Sequence, residues 1–209
     1  FGNDWFTFCI LFITIITLLL FSNYLLNLKK LSPDNNRRLV HLIAGILMSA
    51  SPLIFSNTIQ PIFLAIIFII INTATINNDS FKGIHSQERL SYGTILFPIS
   101  YLLLILFFWD YTEYLIISLL ILAICDPLAA QFGQLATNQN TFIIWNDKKT
   151  IIGTIAFFFS SFIIVYTFGS IFFNNSNIYL LGLALFTAFG TTISEITSSK
   201  GSDNLSIPF

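Results

Sequence analysis

The chain has 209 residues, of which 55% are hydrophobic and only 9% charged, with 24 Phe, a single Met and a net charge of −1. A soluble domain carries about 25% charged residues, and so few charges cannot solvate the exterior of a globule this size. The composition therefore describes an integral membrane protein and excludes most nucleic-acid binders, secreted disulfide scaffolds and cytosolic enzymes.

Seven apolar runs follow in chain order, at 5–26, 39–55, 59–76, 94–109, 114–132, 151–173 and 178–196. A helix needs about 20 residues to cross roughly 30 Å of hydrocarbon, with about 17 near the lower limit, so the fourth run is short. None alternates as a membrane β-strand does, so each is predicted as a helix. The expected fold is all-α: a polytopic bundle of seven spans forming one integral membrane domain over 1–209. The first run is too long for a signal-peptide core and counts as a span. Cys9 and Cys125 lie inside apolar runs and read as small buried hydrophobes. The chain does not begin with Met and is expected to be incomplete at the N-terminus, and at the C-terminus as well.

All nine cations fall in alternate connections: Lys29, Lys30, Arg37 and Arg38, then Lys82 and Arg89, then Lys148 and Lys149, and finally Lys200. The positive-inside rule then predicts the N-terminus outside and the basic loops in the cytoplasm. Those loops, 27–38, 77–93 and 133–150, are also the long ones, so an enzyme-like face is expected there.

Asp126, followed by Pro127, sits below the predicted inner end of the fifth run, at a depth of roughly 9 Å. A carboxylate there costs several kcal/mol unless it is paired or opens onto a wet cavity. Asp126, Ala129, Ala130 and Gly133 share one helical face; it is either a small-residue packing seam with a paired Asp or a functional site. Lys148, Lys149 and Thr150 open the sixth helix and suit an anionic phosphate, or else merely anchor the helix at the boundary. Arg37 and Arg38 stand within one turn of His41, itself either packed or functional. Glu195 and Asp203 add carboxylates on the same side. With Asp126 they make three oxygen ligands for a hard cation such as Mg²⁺, whereas two His and two distant Cys cannot build a zinc site. The P-loop, dinucleotide-binding and nucleophile-elbow motifs are absent.

Taken in order, these segments resemble the membrane-embedded, CTP-dependent lipid alcohol kinases (phytol kinase, dolichol kinase and yeast-type diacylglycerol kinase). The resemblance covers nearly the whole chain. It rests on Arg37-Arg38-Leu39-Val40-His41, on Ile84-His85-Ser86 with Arg89-Leu90-Ser91-Tyr92-Gly93-Thr94-Ile95-Leu96-Phe97-Pro98, and on Asp126-Pro127-Leu128-Ala129-Ala130 through Gly133. Lys148-Lys149-Thr150-Ile151-Ile152-Gly153-Thr154 and Asp203-Asn204-Leu205-Ser206-Ile207-Pro208 complete it. The related phosphatidate cytidylyltransferases share the central part but end differently. A second Gly that usually follows Gly133 is missing from Leu135-Ala136-Thr137-Asn138-Gln139-Asn140.

The resemblance implies transfer of the CTP γ-phosphate to a long-chain isoprenoid or lipid alcohol at the cytoplasmic face of a multi-pass protein, expected in a bacterial inner membrane. Asp126, Asp203 and Glu195 become metal ligands or base. Arg37, Arg38, His41, Gly133, Lys148, Lys149, Thr150 and Asn204 become the nucleotide's contacts. The alternatives are a cytidylyltransferase forming a CDP-lipid, and a carrier without catalysis. The sequence does not set the oligomeric state.

Overall fold

A computed structural model of the chain describes residues 3–75, 92–135, 140–145 and 147–209. The motif residues Ile84, His85, Ser86, Arg89, Leu90 and Ser91, the cation Lys82 and the stretch 136–139 lie outside the described residues.

Helix α1 (Asp4–Asn27) is apolar on every side and buries only Leu11, Ile15, Leu19 and Ser22. Its first residue is tied down, because the Asp4 carboxylate accepts hydrogen bonds from Ser56 N, Ser56 Oγ and Asn57 Nδ2. Helix α2 (Pro33–Ser49) starts six residues before the second apolar run. Ser32 caps it by accepting from Asn35 N, and Pro33 occupies the first turn, where a missing N–H costs nothing. It ends before the run does, and a short α3 (Ser51–Ile54) follows. Helices α4 (Ile59–Thr75) and α5 (Gly93–Phe108) pair as apolar helices of 17 and 16 residues.

The next rod runs over Thr112–Gln134 and is 23 residues long. It comprises α6 (Thr112–Leu120), a π-helical turn (Ile121–Cys125) and α7 (Asp126–Gln134). After it the chain makes an antiparallel hairpin of β1 (Thr141–Ile144) and β2 (Asp147–Thr150), in a register pairing Thr141 with Thr150 and Ile144 with Asp147. Helices α8 (Ile151–Phe172) and α9 (Asn177–Thr197) then pack along each other, and α10 (Asp203–Ser206) closes the described chain. On α9 the buried line is Leu180, Ala184, Ala188, Thr192 and Glu195, of which the small residues Ala184, Ala188 and Thr192 let α8 approach closely.

Among the described residues four helices are long and apolar enough to span a bilayer: α1, the Thr112–Gln134 rod, α8 and α9. Their outward faces bear large apolar side chains such as Ile13, Ile163, Phe186 and Phe189; Phe186 is 82% exposed. A contiguous apolar exterior of this kind is stable against lipid, not water. Two features depart from the all-α bundle of seven spans. The hairpin occupies what reads as an inner loop, and α2, α4 and α5 are, over the described residues, shorter than the four spans. Cys125 is buried as expected, whereas Cys9 is exposed on the outward face of α1.

The interior forms two apolar clusters. One joins α1, α2, α4, α5 and α6, the other α6, the π turn, α7, α8, α9 and Ile207 beyond α10, and Phe97 of α5 packs against both.

Candidate active site

A cavity of ≈1030 Å³ opens where the polar ends of these helices meet. Four separated segments supply its charged groups. Arg37, Arg38 and His41 come from the first turns of α2, and Asp126 and Gly133 from α7. Lys148, Lys149 and Thr150 come from β2, while Glu195, Asp203 and Asn204 come from the end of α9 and from α10. Every residue singled out from the sequence as catalytic, metal-binding or nucleotide-binding thus lines one space. Ala129 and Ala130 line it too, as the shared face with Asp126 and Gly133 requires.

Local chemistry holds each group. His41 Nε2 donates to the Leu122 carbonyl at 3.1 Å, and its ring meets Phe97 edge-on at 5.0 Å. That carbonyl is available for a definite reason. In the i+5 pairing of a π turn Leu122 faces residue 127, and Pro127 has no N–H to give. His41 supplies the missing donor and ties α2 to the break beside Asp126. Gly45, one turn further along α2, allows this approach, since a Cβ there would collide with the Cβ of Ala123.

Thr150 caps α8: its Oγ1 accepts from Gly153 N at 3.0 Å. Its hydroxyl oxygen is the acceptor in this cap, and a Thr hydroxyl also carries one O–H donor. Gly153 is required here, because a Cβ would stand 2.8 Å from Ala129 O and 2.7 Å from Thr150 Oγ1. A Cβ on Gly133 would stand 2.8 Å from the same hydroxyl, so α7, β2 and α8 converge on one point with no room for side chains.

Lys149 Nζ donates to Glu195 Oε1 at 2.5 Å and to the Glu195 backbone oxygen at 2.8 Å. The residues are 46 positions apart, and no sequence signal paired them. A second tie joins the hairpin to the same corner, where Lys200 N donates to Asp147 Oδ2 at 3.2 Å. Tyr92 N donates to Lys200 O, which brings the start of α5 to this corner as well. Lys200 and Gly201 turn the chain there at φ 52° and 91°, the second a conformation that glycine adopts without strain.

The charged groups that act on Asp126 are Asp203, Arg37, Glu195 and Lys149, so acid and base face one another across the cavity. Among the described residues no three His, Cys, Asp or Glu side chains stand close enough to hold a metal by themselves. The three carboxylates share the cavity, yet Glu195 is already bound by Lys149. Asn204 Nδ2 donates to Asp203 Oδ1 at 3.0 Å and fixes that carboxylate. Two buried oxygens here, Glu195 Oε2 and Asn204 Oδ1, have no hydrogen-bond partner. Oxygen donors left open beside two further carboxylates are what a hard, partly hydrated cation takes up.

Compared with family models, with curated proteins and with solved structures, the chain matches none.

Proposed function

We propose that the protein is a membrane kinase that moves the γ-phosphate of CTP onto the hydroxyl of a long-chain isoprenoid or other lipid alcohol at the cytoplasmic face. The observation that supports this reading is the convergence of cations, carboxylates and a helix start on one cavity of ≈1030 Å³ between apolar helices. Phosphoryl transfer asks for just that: positioning and charge neutralisation, with little covalent work for the protein.

Lys148 and the third N–H of Lys149 hold the triphosphate, with Arg37 and Arg38 on the facing wall. Asp126 and Asp203 would hold Mg²⁺, and Asn204 orients Asp203. Mg²⁺ keeps several waters and takes one or two carboxylates plus phosphate oxygens, so a full protein cage is not required. When bound, the ion neutralises charge on the β- and γ-phosphates. The alcohol oxygen attacks the γ-phosphorus, the bond to the β-phosphate oxygen breaks, and CDP leaves. The hydroxyl proton passes to Asp203 or Glu195.

The test is label transfer by purified protein, with phytol, a polyprenol and diacylglycerol as acceptors. Label from the γ-phosphate of CTP should enter the organic extract, and label from the α-phosphate should stay in water as CDP. The reverse pattern would identify a cytidylyltransferase, and no transfer of either label would overturn the enzymatic reading.

A further inference from the structure

The cavity has a second, apolar half. Its wall on α2 is a single stripe, Arg37, His41, Ala44 and Met48, that passes from cation to hydrocarbon over three turns. Helix α1 continues the wall with Leu19 and Ile15, and α4 steps from Asn72 to Phe68. Spacings of three and four residues put these side chains one above another on each helix. Ile15, Leu19, Met48 and Phe68 belong to the same buried cluster, each at most 7% exposed. An apolar slot thus extends from the polar chamber into the bundle, away from the lipid-facing sides of α8 and α9.

We infer that this slot, between α1, α2, α4 and α5, seats the head-proximal segment of an amphiphile's single hydrocarbon chain, with its polar end among Asp126, Asp203 and Lys148. The assignment of that amphiphile as the acceptor alcohol rests on the kinase reading. Continuity argues for this occupant. A wholly polar ligand leaves the slot empty, a wholly apolar one leaves the charges unmatched, and only a molecule with both parts fills a cavity polar at one end and apolar at the other. The slot is short. From His41 to Met48 is seven residues, about 10 Å at 1.5 Å per residue, a third of the hydrocarbon thickness. It therefore reads the shape of the chain next to the hydroxyl, not the chain's total length. Ala44 is the gauge, since it is the small residue of the α2 stripe and borders the passage directly.

Photo-crosslinking of the full chain in nanodiscs tests the slot without nucleotide. The probe is a farnesol analogue with a diazirine on a carbon near the hydroxyl. Adducts should map to Ile15, Leu19, Ala44, Met48 or Phe68. Adducts on Ile155, Ile163 or Phe186, or none above a hydrocarbon diazirine lacking the hydroxyl, overturn the inference. In turnover assays Ala44→Leu should raise KM for farnesol at least tenfold and leave KM for CTP within twofold. Ala44→Gly should raise tolerance for alcohols branched beside the hydroxyl. A farnesol KM within twofold of the parent's in Ala44→Leu also overturns it. Slot adducts without any phosphorylation would sink the kinase reading and leave the slot standing. Phosphorylation with adducts only on α8 and α9 would do the opposite.

Discussion

Lys149 carries the sharpest prediction, because its two hydrogen bonds to Glu195 make it a structural tie as well as a cation. The pair is largely out of solvent, with side chains 17% and 9% exposed. Hydrogen bonds to charged groups contribute about 1.5–3 kcal/mol each, while breaking a fully buried pair from one side costs about 3–5 kcal/mol. Lys149→Met removes both bonds and leaves the Glu195 carboxylate, whose Oε2 already lacks a partner, without compensation. Partial exposure puts the expected loss at about 3 kcal/mol, toward the lower end of the buried range. For a chain of this size that is a fall in Tm of roughly 6–12 °C. Lys148→Met, at the neighbouring and exposed strand position, should shift Tm by less than Lys149→Met does, because an exposed charge gains less from its contacts than a buried one. Restoring neutrality in Lys149→Met with Glu195→Gln should recover part of the loss, since no buried charge is then stranded. Thermal unfolding in detergent, followed by near-UV circular dichroism across the double-mutant cycle, reads these shifts. Equal Tm values for the Lys148 and Lys149 variants would refute the tie and return both lysines to the role of simple phosphate contacts.

Three further outcomes are expected. Asp126→Asn should lower label transfer at least about 100-fold, as loss of a key electrostatic group does, without lowering Tm, because it also relieves repulsion from Asp203 and Glu195; wild-type turnover in this variant would remove Asp126 from the site. Gly153→Ala should destabilise the protein by about 1–3 kcal/mol in thermal unfolding, the usual cost of overpacking, because Ala129 O and Thr150 Oγ1 leave its Cβ no room. Cysteines placed at Asn35 and Asn140 should react with an impermeant thiol reagent only from the cytoplasm, and one at Ser176 only from outside. Labelling of Asn140 and Ser176 from the same side would refute the orientation drawn from the cations.

Much of the architecture was legible because lipid rewards long apolar runs, and α1, α8 and α9 differ from their runs by only a residue or two. The start of α2 was legible in principle, since Ser32-Pro33 is a capping signal, but hydropathy overlooks a polar first turn. The hairpin was not. Its strands are four residues each, too short for periodicity to distinguish from a loop. Spacing along one helix brought Asp126 together with Gly133, and Arg37 with His41. Contacts across the fold were beyond it: nothing local links Lys149 to Glu195, and Thr150 looks the same whether it caps a helix or greets a phosphate. Ile15 and Phe68 were equally silent, because an apolar residue beside a slot has the same sequence signature as one facing lipid.

The π-helical turn at Ile121–Cys125 makes the site sensitive to chain length in a way that hydrophobicity would never reveal. A π turn holds one residue more than the α-helix it interrupts, and its widened loop absorbs that residue without turning the helix that follows. Deleting Ala123 would leave a continuous apolar segment, still able to cross a bilayer, and would close the turn into ordinary α-helix with Asp126 on its present face. What would be lost is the small residue of the widened turn that sits against Gly45, and with it the close seat of α2 on this rod. The extra residue thus behaves as a shim between two helices: it sets their separation beside the carboxylate, not the direction of the carboxylate itself.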